Sequence, residues 1–100
     1  MNDIFVYKSN GIYLGFIRNG FLFSRDGICL GWIENDFIWD TQGQFKGLLY
    51  EINGHKYVVV NRFTLKPAQR SSKIIANQTV LSNQSNIPAI SLPVELTDAF

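Results

Sequence analysis

The chain has little of the chemistry on which most recognisable sites depend. Its 100 residues include one cysteine, one histidine, one methionine and three prolines. A single cysteine excludes an intrachain disulfide and fits a reducing compartment. One histidine and one cysteine cannot supply the usual ligands of a zinc or haem site. The sequence therefore predicts no metal and no cofactor.

Net charge and long apolar runs are also missing. Nine Lys plus Arg face eight Asp plus Glu, a formal charge of +1, which is too small for the basic field that binding to nucleic-acid phosphates requires. No uncharged apolar run has the about 18 residues that a membrane-spanning helix needs, and the N-terminus lacks the basic and apolar regions of a signal peptide. We expect a soluble cytoplasmic protein that binds neither nucleic acid nor membrane.

The last third of the chain is poor in aromatic residues and has no glycine. Thirteen of the 14 aromatic residues and all eight glycines lie before residue 64, whereas all three prolines lie after it. The later part is rich in Ser, Thr, Asn and Gln, a composition that buries little apolar area. We predict a β-hairpin repeat domain over residues 1–63 and a polar tail over residues 64–100 that is extended or partly disordered.

Some tail residues are apolar and could contact the domain. Residues 74–75 and 80–81 could lie on the domain or form a short added strand, and residues 87–96 could dock as an extended peptide.

The first 63 residues contain an internal repeat. Gly11, Gly27 and Gly43 lie 16 residues apart, and four sets of apolar residues share that spacing. A fourth, eroded copy follows residues 53–54. Duplicated units of equal length tend to pack equivalently, in a stack or around an axis. The four sets are Phe5, Phe21 and Phe37; Val6, Leu22 and Ile38; Tyr7, Phe23 and Trp39; and Phe16, Trp32 and Leu48.

Turn dipeptides such as Asn19-Gly20 and Asn53-Gly54 interrupt the chain about every eight residues, which is too often for helices and typical of two-residue hairpin turns. Short connections make neighbouring strands antiparallel. We expect the meander to close on itself, because closure hides its edges. The predicted strands are residues 4–7, 12–17, 21–23, 28–33, 37–39, 45–50 and 55–61.

Glycines inside predicted strands need a reason, because glycine in a strand costs entropy and packs nothing. Gly15, Gly31 and Gly47 share one phase of the repeat. We predict that each lets a neighbouring aromatic ring or backbone approach closely.

The repeated residues resemble those of a known family. Residues 22–27, then Leu30-Gly31-Trp32, Glu34-Asn35 and residues 38–40 up to Gly43 are similar to the bacterial four-fold β-flower domain. The resemblance covers residues 4–63. It implies an all-β domain of hairpin units around a pseudo-four-fold axis, followed by a low-complexity tail. It implies no established activity, cofactor or catalytic residue.

Few side chains suggest catalysis. Cys29 and His55 could form a nucleophile and base only if the fold brought them together, and a half-buried Cys29 and a solvated His55 are the stronger interpretation. Glu34 and Asp40 could form a glycosidase-like carboxylate pair. Carboxylates near hairpin turns more often cap the turn.

Aromatic residues are the better candidates for binding. Trp32, Trp39, Phe23 and Tyr7 could form a face that stacks on a ligand or a partner. The competing interpretation is that large side chains fill the centre of a small curled sheet. We expect a non-enzymatic scaffold or interaction module that meets another protein or a second copy. The alternative is binding of a small ligand, such as a carbohydrate, in an aromatic pocket.

Overall fold

Residues that tolerate positive φ end the strands. The turn glycines Gly11, Gly27 and Gly43 have φ of 88°, 85° and 86°, and Asn19 and Asn53 have φ of 53° and 52°. Because glycine and asparagine adopt this conformation at low cost, the chain reverses at the same point in each repeat. The computed structural model describes residues 3–63, 67–73, 78 and 84–100. The strands are β1 (Ile4–Tyr7), β2 (Tyr13–Arg18), β3 (Phe21–Ser24), β4 (Cys29–Glu34), β5 (Phe37–Asp40), β6 (Phe45–Ile52), β7 (His55–Asn61) and β8 (Leu96–Asp98).

The strands form one sheet that closes on itself. Consecutive strands are antiparallel neighbours from β1 to β8, and β7 also pairs in parallel with β1 through Val6 with Lys56 and Tyr7 with Tyr57. The predicted all-β class and the closure are confirmed. No helix among the described residues is long and apolar enough to cross a membrane.

The register of the sheet repeats with the sequence. Leu22 faces Gly31 across β3 and β4, and Ile38 faces Gly47 across β5 and β6. A bulge follows each of these pairs at the same position, as it does after Val6 in β1. The three clean repeats, which are the intact units that contain Gly11, Gly27 and Gly43, are therefore equivalent in geometry as well as in sequence.

The end of the chain completes the fourth unit. The β6–β7 hairpin is longer than the others, and Val58 takes the place of Leu22 and Ile38. Strand β8 pairs with β7, and the Ala99 N–H donates to the Val58 carbonyl at 3.1 Å. Ala99 thus lies where the other units have a mid-strand glycine. Strand β8 is not among the strands predicted from the sequence.

Strands β1 to β7 form a closed ring, and aliphatic side chains fill its centre. Every unit contributes one buried residue to a single cluster, which Ile17 joins from β2. Because side chains alternate between the two faces of a strand, the aromatic residues next to them point away from this cluster. Tyr7, Phe23, Trp32 and Trp39 are nonetheless buried, which agrees with the interpretation that these rings pack in the core, although aliphatic side chains form the central cluster. The four equivalent central residues are Val6, Leu22, Ile38 and Val58.

The mid-strand glycines allow close contact with backbone. A Cβ on Gly15 would lie 1.9 Å from the Phe23 carbonyl oxygen, and one on Gly31 would lie 1.8 Å from the Trp39 carbonyl oxygen. Each glycine therefore admits the backbone of the following strand rather than an aromatic ring.

The described parts of the tail are extended and contact the ring. Residues 67–73 and 84–92 have no regular secondary structure, and Ile87 and Ile90 pack against an aromatic cluster of the sheet. The proposed strand residues at 74–75 and 80–81 lie outside the described residues. The domain boundary at residue 63 stays a prediction.

Candidate functional site

The tail makes one equivalent contact with each clean repeat. The carbonyl of each turn glycine accepts a hydrogen bond from a tail N–H, and the tail passes the three repeats in reverse order. These bonds connect Arg70 to Gly43 at 2.7 Å, Gln78 to Gly27 at 2.8 Å and Ile87 to Gly11 at 2.9 Å.

Glycine is required at these turns for two reasons. Their φ values of 85–88° suit glycine. In addition, a Cβ on Gly11 would lie 1.8 Å from the Ile87 carbonyl oxygen, and a Cβ on Gly43 would lie 1.8 Å from that of Arg70. The tail backbone therefore packs directly against the backbone of the turn glycines Gly11 and Gly43.

The four predicted face residues lie in three separate aromatic groups. Trp32 and Trp39 stack on each other, with ring centroids 6.4 Å apart and planes 17° apart. Phe23 stacks on a neighbouring ring of β2, and Tyr7 packs against Tyr13. All four are buried. Whether they bind a ligand or partner stays a prediction.

Basic side chains of the tail cover the tryptophan pair. The Arg70 guanidinium lies 4.8 Å from the centre of the Trp39 ring, and the Lys73 ammonium lies 4.8 Å from that of Trp32. Arg70 also pairs with Glu34 at 2.7 Å, and Glu34 accepts a hydrogen bond from the Trp32 indole at 3.4 Å. Two indole faces and one carboxylate therefore hold two cations.

In the first repeat, the cation that covers an aromatic ring comes from a strand of the sheet and not from the tail. Arg18, which lies 16 residues before Glu34, stacks over Phe16 at 4.8 Å and pairs with Asp3 at 2.7 Å. The hydrogen bond from Arg18 lowers the pKa of Asp3 below its ordinary value. Where the second repeat has the acidic Glu34 instead of arginine, the cations come from the tail.

Tail residues 84–92 lie over a cluster of buried tyrosine side chains, Tyr7, Tyr13 and Tyr57. Ile90 donates its N–H to the Ser9 carbonyl at 2.8 Å, and the Tyr13 N–H donates to the Asn86 side chain at 3.1 Å. The Tyr13 hydroxyl is buried and has no hydrogen-bond partner among the described residues. Burial raises the pKa of Tyr13.

The candidate catalytic residues are apart or have structural contacts. Cys29 lies on β4 opposite Phe23, whereas His55 lies on β7 opposite Ile52. Asp40 accepts hydrogen bonds from the Gln42 and Gln44 N–H groups, each at 2.9 Å, and therefore caps its turn as predicted. Within the described ranges, no three His, Cys, Asp or Glu side chains come together in a way that could hold a metal ion.

A cavity lies at the seam where the ring closes. It is open to solvent, has a volume of about 320 Å³ and is lined by Asp3, by residues of β1 that include Tyr7, by Gly54 of the β6–β7 turn, and by His55 and Lys56 at the start of β7. The His55 ring meets Tyr7 edge-on at 5.7 Å. The cavity therefore combines aromatic surface with groups of both charges.

Sequence reasoning missed the tail residues of the site. Arg70 and Lys73 lie in a serine-rich run outside the repeat, so no periodic position marked them. One sequence signal was usable: the position that holds Arg18 in the first repeat holds the acidic Glu34 in the second. Glu34 therefore needs a basic partner from elsewhere in the chain.

One family model matches the chain. The model of the 4-fold beta flower protein family matches residues 1–91, which include strands β1 to β7 and most of the tail. No curated protein matches the chain, and no solved structure does. The equivalent registers, the closed sheet and the match over most of its length agree, and the chain belongs to the 4-fold beta flower protein family.

Proposed function

We propose that this chain is a non-enzymatic interaction module whose ring binds an extended polypeptide segment. One observation carries the proposal: each clean repeat offers the carbonyl of its turn glycine to one N–H of the tail. Main-chain hydrogen bonds at a regular spacing hold a peptide whatever its sequence, while side-chain contacts add selectivity. The chain's own tail occupies this surface.

The positions of the reactive side chains support a function without catalysis. Cys29 and His55 lie on strands that are three apart in the ring. Glu34 binds Arg70, and Asp40 caps a turn. The lone Cys29 is free, which supports the cytoplasmic location that we also propose.

The test asks whether the ring binds a tail segment supplied separately. The full-length variant I87P/I90P lacks the two N–H groups that bond to Gly11 and Ser9, since proline has no N–H. A synthetic peptide of residues 84–92 is then titrated into the ¹⁵N-labelled variant. We expect the amide signals of Asn10, Ile12 and Tyr13 to return toward their wild-type positions.

A matched peptide with the same two prolines is the control, because it has the same length and charge but lacks both donors. Signals from the Asn19-Gly20 turn should not move with either peptide. If the wild-type peptide leaves Asn10, Ile12 and Tyr13 unmoved at millimolar concentration, the proposal is wrong.

The cavity at the seam favours a second candidate function, the binding of a small ligand. Its volume of about 320 Å³ lies at the lower end of the range of ligand pockets, roughly 300–1,000 Å³. The Tyr7 ring and the polar groups of Asp3, His55 and Lys56 could orient a carbohydrate. A thermal-shift screen of mono- and disaccharides against wild type and H55A tests it: stabilisation of wild type alone supports the function, and no stabilisation contradicts it.

A further inference from the structure

We infer that Trp32, Glu34, Trp39 and the turn of residues 41–43 form a site that selects an extended segment with arginine and lysine three residues apart. This inference rests on the proposed function and names its partner class: a basic, extended segment of another protein. Residues 69–73 of this chain fill the site and act as its intramolecular competitor.

The backbone of the turn fixes where the two basic residues lie. The Arg70 N–H donates to the Gly43 carbonyl at 2.7 Å, and the Lys73 N–H donates to the Thr41 carbonyl at 3.0 Å. The Gln69 side chain donates to the Gln42 carbonyl at 3.1 Å. Two main-chain bonds thus set the spacing of the segment against the turn.

Side chains of the ring then recognise charge. The guanidinium lies over one tryptophan and the ammonium over the other, each at 4.8 Å. Glu34 accepts the second contact of the arginine at 2.7 Å. An aromatic face attracts cations through its quadrupole, and a carboxylate adds charge complementarity, so neutral or acidic segments lose all three contacts.

The exposure of the segment makes it replaceable. Trp32 and Trp39 are only 3% and 1% exposed, whereas all residues from 67 to 73 are exposed. The segment therefore lies on the outside of the site and covers it. A partner segment with the same basic pair meets a preformed site as soon as residues 69–73 leave.

The experiment uses the full chain with its own segment neutralised as R70Q/K73Q. The chain has two tryptophans, both in this site, so its tryptophan emission reports the site alone. Compared with wild type, we expect red-shifted emission and stronger quenching by acrylamide. The control R25Q/R62Q removes the same charge from exposed residues elsewhere and should match wild type. Circular dichroism verifies that both variants fold.

Two synthetic peptides of residues 67–73 are then added to R70Q/K73Q. The wild-type peptide should restore blue-shifted, protected emission. Its R70Q/K73Q counterpart should bind about tenfold more weakly, the effect of losing two cation–aromatic contacts. The ring variant E34Q, combined with R70Q/K73Q, should also weaken the wild-type peptide while leaving the neutral one unchanged.

Equal binding of the basic and neutral peptides overturns the inference and leaves the proposed function standing, since a polypeptide still binds. Unchanged emission of R70Q/K73Q, or no binding of either peptide, also overturns it. The proposed function is then judged by the separate peptide of residues 84–92. Recovery of the R70Q/K73Q emission by added wild-type chain, after the emission of the wild-type chain itself is subtracted, but not by the basic peptide assigns the site to a second copy and overturns a partner segment as its occupant.

Discussion

At the scale of single residues, the ring contains polar groups that burial leaves without partners. The Tyr13 hydroxyl and the Trp39 indole nitrogen have no hydrogen-bond partner among the described residues. A buried polar group without a partner carries a desolvation cost of about 1–3 kcal/mol. These two atoms therefore lower the stability of the ring, and their rings are kept for packing.

Removal of the Tyr13 hydroxyl tests this directly. We expect Tyr13→Phe to raise the free energy of unfolding by about 1 kcal/mol at neutral pH, as measured by urea denaturation. Burial raises the pKa of Tyr13 above its ordinary value of 10.0, so the unfolded state ionises first and the wild type loses stability as the pH rises above that value. The Tyr13→Phe variant should lose less stability than the wild type over the same rise in pH. Lower stability of the variant at neutral pH would contradict the account.

At the scale of elements, the hairpins depend on close approach of backbone at the mid-strand glycines. A Cβ on Gly31 would lie 1.8 Å from the Trp39 carbonyl oxygen, whereas Gly20 has no atom within 4 Å of that position. Both residues have positive φ, at 157° and 79°. A comparison of the two sites therefore sets crowding together with strain at Gly31 against strain without crowding at Gly20.

We therefore expect Gly31→Ala to destabilise far more than Gly20→Ala. Crowding against backbone should cost about 3 kcal/mol or more, and strain alone should cost about 1–2 kcal/mol. Thermal melts of the two variants measure the difference. Equal melting temperatures would show that the strands can move apart and that close approach is not what holds the repeat.

The elements that follow the repeat were predictable from the sequence, and the others were not. The bounds of β1 and β7 match the prediction; the turn dipeptide Asn10-Gly11 follows β1, and Asn53-Gly54 directly precedes β7. Strand β8 was missed: Leu96–Asp98 is too short for an alternating pattern, and its partner β7 is distant in the sequence. In the candidate site, the phase of the repeat indicated Trp32 and Trp39. Nothing periodic indicated Arg70 or Lys73, which act through the fold of the whole chain.

At the scale of the whole molecule, the two ends of the chain hold the ring closed. Asp98 accepts hydrogen bonds from the Ser9 N–H and from the Ser9 hydroxyl, each at 2.7 Å. Strand β8 occupies the edge of β7 next to the two-residue contact with β1. Closure therefore depends on residues from the first and last ten positions of the chain.

Loss of this contact should weaken the whole ring rather than one end. We expect Asp98→Ala to lower the free energy of unfolding by about 2 kcal/mol, because it leaves a half-buried N–H without its acceptor. Asp98→Asn keeps one acceptor and should lose less, and Asp26→Ala at an exposed turn is the control. Chemical denaturation followed by tryptophan emission measures all three. An Asp98→Ala variant as stable as wild type would contradict closure through the chain end.

Amide hydrogen exchange of the wild-type chain tests most directly whether the turn glycines hold the tail. The N–H groups of Arg70, Gln78 and Ile87 donate to the three turn glycines, so each should exchange at least about tenfold more slowly than in a free peptide of residues 67–92. Exchange of all three amides at the rate of the free peptide would contradict the account.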